Sequence, residues 1–260
     1  MRALRREDVW LNSVSLRDVD PKIINIRVIE EQAQQEITYG RAAGRDGRMV
    51  LGRTGVSKKI GVEFMIREIF DLAARSAIVD AVNEWAGTGG VLRCSTRPDR
   101  QITLITTGYA AAGDLRDYNA PIRIDFETAA VPCWENVLAA KYEATAASGS
   151  TTLALSGNAP TWAEVDVTAG TSGLTSLSVT FGDSTIALSG FSISSGKKLR
   201  LWHDDNGILR ITSDASPYNM AQYRSAASAD DLIAGPGNAA AAFTANTSCG
   251  ITIQARGRYR

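Results

Sequence analysis

The only histidine of the chain, His203, lies in the run Leu201–Asp205 (LWHDD), directly before an Asn-Gly pair. Imidazole and carboxylate groups bind metal ions, and they also hydrogen-bond to sugar hydroxyls. His203, Asp204 and Asp205 are therefore candidates for a metal or a carbohydrate site. A metal site needs more ligands than these three side chains offer, and a polar strand end entering a turn explains them more simply. We predict a strand end here and no metal site.

Arginines and glycines interrupt the segment Gly40–Gly55 (GRAAGRDGRMVLGRTG), which has no apolar period. A glycine-rich loop can hold phosphate, but this one lacks the Gly-Lys-Ser/Thr ending, and no helical pattern follows it. Guanidinium groups pair well with carboxylates. We therefore expect a projecting loop or hairpin arm whose charged side chains contact a neighbouring subunit. The predicted contact residues are Arg41, Arg45, Asp46, Arg48 and Arg53.

The sequence contains no set of residues typical of a catalytic site. Glu164 and Asp166 would share one face of a strand, as a glycosidase pair might, but nothing indicates the cleft in which such carboxylates work. The nucleophile pattern Gly-x-Ser-x-Gly is absent. Trp202 and Tyr218 could stack on a sugar ring, although single aromatic residues usually serve packing. We predict that the chain is not an enzyme and uses no cofactor.

The composition excludes several classes of function. The 260 residues include 28 basic and 28 acidic side chains, so the chain lacks the basic surface of a nucleic-acid-binding protein. Cys94, Cys133 and Cys249 have no CxxC spacing, and we expect free, buried thiols in a reducing compartment. Neither a signal peptide nor a run of about 18 apolar residues is found. We expect a protein made in the cytoplasm, without membrane insertion.

The charges divide the chain into two parts. Residues 1–140 carry 19 basic and 19 acidic side chains, and residues 141–260 carry the remaining nine of each. The second part is rich in Ala, Ser, Thr and Gly. We predict two domains, residues 1–140 and residues 141–260. The small residues of Tyr142–Ser150 suit a short linker between them.

The first part is predicted to be strands around one helix. Apolar and polar residues alternate over Ile60–Arg67 and over Ile122–Glu127, which is typical of half-buried strands. Lys22–Glu30 and Gln101–Tyr109 are further strand candidates. An apolar stripe at helical spacing predicts a helix over about Asp71–Ala86, with Asp71 as its N-cap and Gly87 as its end.

The second part is predicted to be an antiparallel β-sandwich of short strands. The turn signal Asp205-Asn206-Gly207 predicts a hairpin between two of them. The predicted strands are Thr152–Leu155, Ala163–Val167, Leu174–Phe181, Thr185–Ile193, Lys198–Trp202, Ile208–Thr212 and Gly250–Ala255.

The order of these elements resembles that of the distal tail proteins of long-tailed bacteriophages and related tail-derived particles. The resemblance covers nearly the whole chain, although each motif is loose. It rests on a helix ending in Trp85, a strand at Val91–Thr96, the sequence Arg97-Pro98-Asp99, an aromatic strand at Ile122–Glu127, the element Val131-Pro132-Cys133-Trp134, the turn Gly235-Pro236-Gly237-Asn238 and the end Arg256–Tyr259. Cys133 departs from the pattern by interrupting the Pro-aromatic element.

This resemblance implies a mainly β fold, with a barrel- or sandwich-like ring domain that carries one helix, followed by a galectin-like sandwich. It also implies a structural function in the virion tail. A hexameric ring would join the tail tube protein to the tail tip or to a fibre or lysin protein. The alternative function is a carbohydrate-binding module that recognises host-surface glycans through Trp202 and His203, with Arg200 as a further candidate.

Overall fold

The computed structural model describes residues 7–31, 35–40, 49–55, 57–67, 71–110, 120–129, 131–204, 207–215 and 218–260, with the main chain alone for 35–40 and 49–55. The chain forms two compact units, Met1–Cys133 (unit 1) and Trp134–Arg260 (unit 2). None of the helices in the described part has the length and hydrophobicity of a membrane-spanning segment.

Unit 1 consists of an antiparallel sheet, two helices and a separate pair of strands. Its elements are β1 (Val9–Leu11), β2 (Val14–Ser15), α1 (Leu16–Val19), β3 (Ile23–Glu30), β4 (Gln35–Gly40), β5 (Met49–Gly55), β6 (Lys59–Ile66), α2 (Leu72–Ala86), β7 (Gly89–Cys94), β8 (Arg97–Gly108) and β9 (Ile122–Thr128). The strand order in the sheet is β2-β1-β7-β8-β9-β6-β3, and β4 pairs with β5 in a two-stranded sheet.

The alternating strands of the sequence form the centre of this sheet. In β6 the side chains of Ile60, Val62 and Phe64 are buried, and in β9 those of Ile124 and Phe126 are buried. The period of two places every second side chain on the same face of a strand, so each strand contributes one apolar face to the core. These strand predictions are confirmed.

The predicted helix is confirmed as α2. Asp71 caps it by accepting a hydrogen bond from the main-chain N–H of Ala73, and Gly87 ends it at φ 47°. Its Ile78, Val79 and Val82 side chains are buried. This apolar face provides most of the free energy that keeps a helix of this length folded, because isolated helices of such length are marginal in water.

Unit 2 is an antiparallel β structure built around two long strands. Its elements are β10 (Trp134–Asn136), β11 (Ala140–Leu155), β12 (Thr161–Ala169), β13 (Leu174–Phe181), β14 (Ser184–Ile193), β15 (Lys198–His203), β16 (Leu209–Ser213), a 3₁₀ turn (Ala221–Tyr223), β17 (Ile233–Ala234), β18 (Gly237–Ala255) and β19 (Arg258–Tyr259). The mainly β fold class is confirmed.

The long strands β11 and β18 lie side by side in one eight-stranded sheet. The first half of β18 pairs with β13, which pairs with β14, and its second half pairs with β12, which leads to β15 and β16. Strand β11 pairs with both halves of β18, with an irregularity between Ala146 and Ser148. The buried side chains of these strands form one apolar cluster, which is consistent with a β-sandwich.

The linker predicted at Tyr142–Ser150 is wrong, because these residues lie inside β11. Small residues suggested a flexible connection, yet the main chain of this segment is hydrogen-bonded to β18. A strand on which large side chains are few still forms when its neighbour supplies the hydrogen-bond ladder. The predicted strand Gly250–Ala255 covers only the end of β18, because the first half of β18 is rich in alanine and has no alternating pattern.

Candidate functional site

The predicted arm is a hairpin, but its interface residues cannot be placed. Strands β4 and β5 pair antiparallel, with Gln35 opposite Gly55 and Gly40 opposite Met49. Arg53 lies on β5, where only the main chain is described. The other four predicted contact residues, Arg41, Arg45, Asp46 and Arg48, lie outside the described residues.

The structure places Trp202 and His203 on opposite faces of β15. Leu199 and Leu201 are buried in the sandwich core, and Lys198 and Arg200 are exposed on the outer face. Because side chains alternate along a strand, His203 follows the core positions and Trp202 follows the exposed ones. The two residues proposed to bind a sugar together are therefore not brought together on one surface.

His203 is a packing residue of unit 2. Its side chain is 6% exposed, and its Nε2 lies 2.5 Å from Asp231 Oδ1. Its ring stacks on Trp162 with centroids 4.3 Å apart and planes 15° apart. Nδ1 is buried and has no hydrogen-bond partner among the described residues. With the side chain 6% exposed, one ring face on Trp162 and Nε2 on Asp231, the imidazole is buried away from a sugar or a metal ion in solution.

Trp162 contacts both His203 and the buried guanidinium of Arg258. The Arg258 guanidinium lies 4.0 Å from the Trp162 ring centroid, and its Nε donates to Glu135 Oε1 at 2.8 Å. A cation over an indole ring, hydrogen-bonded to a carboxylate, is a favourable arrangement in a partly desolvated place. These residues hold together β10, β12, β15 and β19, so their function is structural.

The outer face of β12 and β15 carries a polar network around Arg200. Its guanidinium lies 3.4 Å from Glu164 Oε2 and 3.3 Å from Asp166 Oδ1, and 5.4 Å from the Trp202 ring centroid. Gln254 Nε2 also donates to Glu164, at 3.2 Å. Glu164 and Asp166 share a face as predicted, but both of them pair with one arginine. Such pairing suits a charged surface and does not suit the acid and base of a glycosidase.

An open groove of about 840 Å³ runs across this outer face. Most of the lining side chains are polar, and they come from neighbouring strands. They include Glu143, Thr145, Asp166, Thr168, Lys198, Arg200 and Thr252. Hydroxyl, carboxylate and guanidinium groups on one open face can hydrogen-bond to a polar partner, and Trp202 lies beside them on β15. The period-two alternation of β12 and β15 was the sequence signal for this face.

The thiols and acidic groups form no reactive site in the described residues. Cys94, Cys133 and Cys249 are buried, as predicted. Burial raises the pKa of the Cys249 thiol, so this sulfur stays protonated and is a poor nucleophile. Within the described residues, no group of three or more His, Cys, Asp or Glu side chains could hold a metal ion.

In unit 1 a partly exposed arginine on β9, Arg123, pairs with two carboxylates. Its Nε donates to Asp125 at 2.6 Å, and its Nη2 donates to Glu31 at 2.9 Å. The hydrogen bond to Asp125, followed by that to Glu31, raises the pKa of Arg123. The Arg123 side chain also lies directly over Gly61, where a Cβ would be 2.6 Å from Nε. Arg123 therefore joins the end of β3 to β9 across β6.

Solved structures with the same arrangement of elements were found. One is the Dit protein of phage SPP1, which is described as a paradigm of the hub adsorption apparatus in phages that infect Gram-positive bacteria. The match has a TM-score of 0.65 and 14% identity, and it covers 98% of this chain and 99% of that chain. This chain has the fold of SPP1 Dit. The family resemblance predicted from the order of elements is thus confirmed at the level of the fold.

A second match is a chain of the phage p2 baseplate in its activated conformation with Sr. It has a TM-score of 0.50 and 9% identity, and it covers 97% of this chain and 98% of that chain. The sequence matches no protein-family model and no curated protein. The likeness to the Dit fold is therefore carried by the arrangement of strands and helices along the whole chain.

Proposed function

We propose that the chain is a structural adaptor of a phage tail tip or baseplate, located in the virion tail. The observation that carries this proposal is the match to SPP1 Dit from end to end, over 98% of this chain and 99% of that one. Because the match includes both units, the two proteins share their whole architecture and not just one domain. Because SPP1 Dit belongs to a hub of the adsorption apparatus, we propose a connecting function for this chain as well.

In this proposal the chain forms a closed ring, a hexamer, that joins the tail tube protein to the tail tip or to a fibre or lysin protein. Residues 1–140 form the ring, and residues 141–260 form a galectin-like sandwich. A ring of more than two subunits needs a surface on each subunit that fits a different surface on the next one. Dense charge of both signs in residues 1–140 favours one register of contact over others.

The arm gives this ring a specific contact. A two-stranded sheet such as β4–β5 is marginally stable by itself in water, because it buries little apolar surface. Contact with a neighbouring subunit would supply the missing partner. Arg41, Arg45, Asp46, Arg48 and Arg53 are the residues that we expect to pair with charges on that neighbour.

Native mass spectrometry of the full chain tests the proposal. A closed ring has a fixed number of subunits, so we expect one discrete oligomer of six copies. A chain that stays monomeric at the highest concentration at which it remains in solution would contradict the ring. Assembly with purified tail tube protein is the next test, with co-migration in size-exclusion chromatography as the expected result.

A second candidate function, glycan recognition, is favoured by the groove on the outer face of unit 2. Arg200 and Trp202 lie side by side on β15 at the exposed face, next to Glu164 and Gln254. An aromatic ring beside hydrogen-bonding groups is the kind of surface that binds a polar ring with an apolar face. In this arrangement the Trp202 ring would stack on the sugar, and His203 packs on the core side of the sheet.

A glycan array with the full chain tests this second function. If the groove binds sugars, Trp202→Ala and Arg200→Ala should each weaken the signal at least about tenfold, which corresponds to the loss of about 1.4 kcal/mol. Arg200 lines the groove and Trp202 lies beside it on β15. Tyr218→Ala is the matched control, because Tyr218 is an exposed aromatic residue outside β15 that neither lines the groove nor stacks with Arg200. Absence of signal for the unmodified chain would remove glycan recognition.

A further inference from the structure

Strand β11 has one open edge in the sheet of unit 2. Among the described residues its only strand partner is β18, which lies between β11 on one side and β12 and β13 on the other. An edge strand presents unpaired N–H and C=O groups, and natural edges are usually kept short, covered or interrupted by proline. Strand β11 has 16 residues and contains no proline. Its free edge is therefore able to accept a strand from another chain.

The register across three strands shows that the main chain of Glu143 faces this open edge. The N–H of Ala169 on β12 donates to Lys197 O at 2.9 Å, on the β15 side. In an antiparallel pair, the main-chain groups of successive residues point alternately toward and away from the partner, so Asp166 points toward β18. Thr252 lies opposite Asp166 and therefore faces β12. Glu143 lies opposite Thr252 on the other side, so its N–H and C=O point away from β18.

Lys141 and Glu143 place opposite charges symmetrically about Tyr142. The main chain of Lys141 also points outward, because it is two positions from Glu143. Both side chains are exposed on the outer face and form an ion pair with each other. Tyr142 lies between them, with its main chain toward β18 and its half-buried side chain on the opposite face.

The core of unit 2 is incompletely covered along the same edge. Of the half-buried apolar side chains that pack against the core cluster, four belong to alternate positions of β11: Ala140, Tyr142, Ala144 and Ala146. Three of these are alanines, which cover little of the core. A further strand at this edge would place its own side chains beside the four and remove them from water.

A second copy of β11 fits this edge in one antiparallel register. With Tyr142 opposite Tyr142 of the second copy, Lys141 of each copy lies opposite Glu143 of the other. Both positions point outward, so they can exchange main-chain hydrogen bonds. Opposite charges directly across two strands are stabilising, whereas a register centred on Lys141 or on Glu143 would bring like charges together. The same register places Ala140 opposite Ala144 on the core face.

We propose that two copies associate through their β11 edges, antiparallel and two-fold symmetric about Tyr142, and so form one continuous sheet across unit 2 of each copy. The contact goes beyond the proposed ring and does not depend on it. It would join two single chains into a dimer, or one ring to another. Because one pair of strands is a small interface, the association should be weak and should increase with protein concentration.

A cysteine at the two-fold axis tests the register in the full chain. Opposite residues of a non-hydrogen-bonded antiparallel pair have Cα atoms about 4.5 Å apart, which a disulfide can span. Tyr142→Cys should therefore yield a disulfide-linked dimer under mild oxidation, measured on a non-reducing gel. Ala144→Cys is the matched control, because the two copies of residue 144 would be about 13 Å apart along the strands. No disulfide in Tyr142→Cys, or equal yields in the two variants, would overturn the inference.

A charge exchange gives an independent test that keeps Tyr142 in the core. Lys141→Glu places two carboxylates opposite each other, and it should raise the dissociation constant of the contact at least about tenfold in sedimentation velocity. The double variant Lys141→Glu with Glu143→Lys restores opposite charges and should associate as the unmodified chain does. Lys197→Glu, at an exposed lysine outside β11, is the control. A double variant that associates no better than Lys141→Glu would contradict the proposed pairing.

Hydrogen–deuterium exchange tests the main-chain bonds without a substitution. The Glu143 amide should exchange at least about tenfold more slowly at high than at low protein concentration. The Tyr142 amide is the internal control, since it faces β18 and should be protected at both concentrations. Equal exchange of the Glu143 amide at the two concentrations would show that this edge stays open.

These measurements separate the inference from the proposed function. If the chain forms a ring whose mass does not increase at any concentration reached, the β11 contact fails and the ring stands. If the chain forms only a dimer that the Lys141→Glu variant abolishes, the ring fails and the β11 contact stands.

Discussion

His203 and Trp162 stack with their ring centroids 4.3 Å apart and their planes 15° apart. His203, which the sequence offers as a candidate ligand for a sugar or a metal ion, is thus buried in unit 2. Its Nε2 is already 2.5 Å from Asp231. Any recognition by this unit is left to the opposite face of the sheet, where Arg200 is exposed and Trp202 is half-buried.

Loss of the His203 ring should destabilise unit 2. His203→Ala would leave a cavity beside Trp162 and remove the hydrogen-bond partner of Asp231, so we expect a loss of about 2–4 kcal/mol in the free energy of unfolding. Urea denaturation followed by tryptophan fluorescence measures this. Tyr218→Ala, at a residue that is 68% exposed, should change it by less than about 0.5 kcal/mol. Similar losses for the two variants would contradict a packing function for His203.

A side chain at Gly90 should destabilise unit 1. Gly90 has φ 147°, and a Cβ there would lie 2.1 Å from Asn12 Oδ1. Asn12 cannot easily move, because Oδ1 accepts from Val91 N and Nδ2 donates to Gly89 O. We expect Gly90→Ala to cost about 2 kcal/mol or more, measured by thermal or urea unfolding.

The control for this glycine is Gly235→Ala. No atom lies within 4 Å of the Cβ position at Gly235, and its φ is not in the left-handed region. The substitution should therefore be nearly neutral. A Gly90→Ala protein as stable as the Gly235→Ala protein would show that the contact with Asn12 is not restrictive.

The Cys249 thiol should be unreactive in the folded chain. Burial raises its pKa, and its Sγ lies 3.7 Å from Ala146 O, so little thiolate is present near pH 8. Mass spectrometry after brief treatment with iodoacetamide should find Cys249 unmodified without urea and alkylated in urea. Equal labelling under the two conditions would contradict this burial.

Because the pKa of the Cys249 thiol is raised in the folded chain, the stability of the fold should decrease at alkaline pH. The unfolded chain releases the Cys249 proton first, because its thiol has the lower pKa. Below that pKa both states hold the proton, and the thiol has no effect on stability. Above it, stability should fall as the pH rises, until the folded thiol also ionises. Cys249→Ala should reduce this loss.

The arginines of the arm should determine assembly and leave the fold unaffected. Replacing Arg41, Arg45, Arg48 and Arg53 with glutamate should abolish the oligomer, because pairs with carboxylates become repulsive. The matched variant with lysine at the four positions keeps the charge and should retain partial assembly. Size-exclusion chromatography with light scattering measures the oligomer. An unchanged oligomer in the glutamate variant would exclude these side chains from the interface.

Much of the fold was predictable where side chains alternate between apolar and polar. The bounds of β6, β9 and α2 follow from period two, from helical spacing and from the cap at Asp71. Strands β11 and β18 were only partly predicted, because alanine, serine and threonine give a weak pattern. These two strands are held in place by hydrogen bonds to each other, and β18 also pairs with β12 and β13. Pairing between distant segments cannot be read directly from the pattern of one segment.

The candidate surfaces were less predictable than the fold. Trp202 and His203 are adjacent in sequence, but alternation along β15 separates them, and a firm strand assignment could have anticipated this. The contacts of His203 with Asp231 and Trp162 join residues from three places in the chain. The open edge of β11 follows from the strand order of the sheet, which single-strand patterns do not contain.

The ring is the central claim, and electron microscopy of the purified full-length chain in negative stain tests it most directly. We expect closed rings of uniform size with a central channel, with six-fold symmetry in class averages. A population of single particles of monomer size, at concentrations where native mass spectrometry also finds only monomer, would contradict the claim.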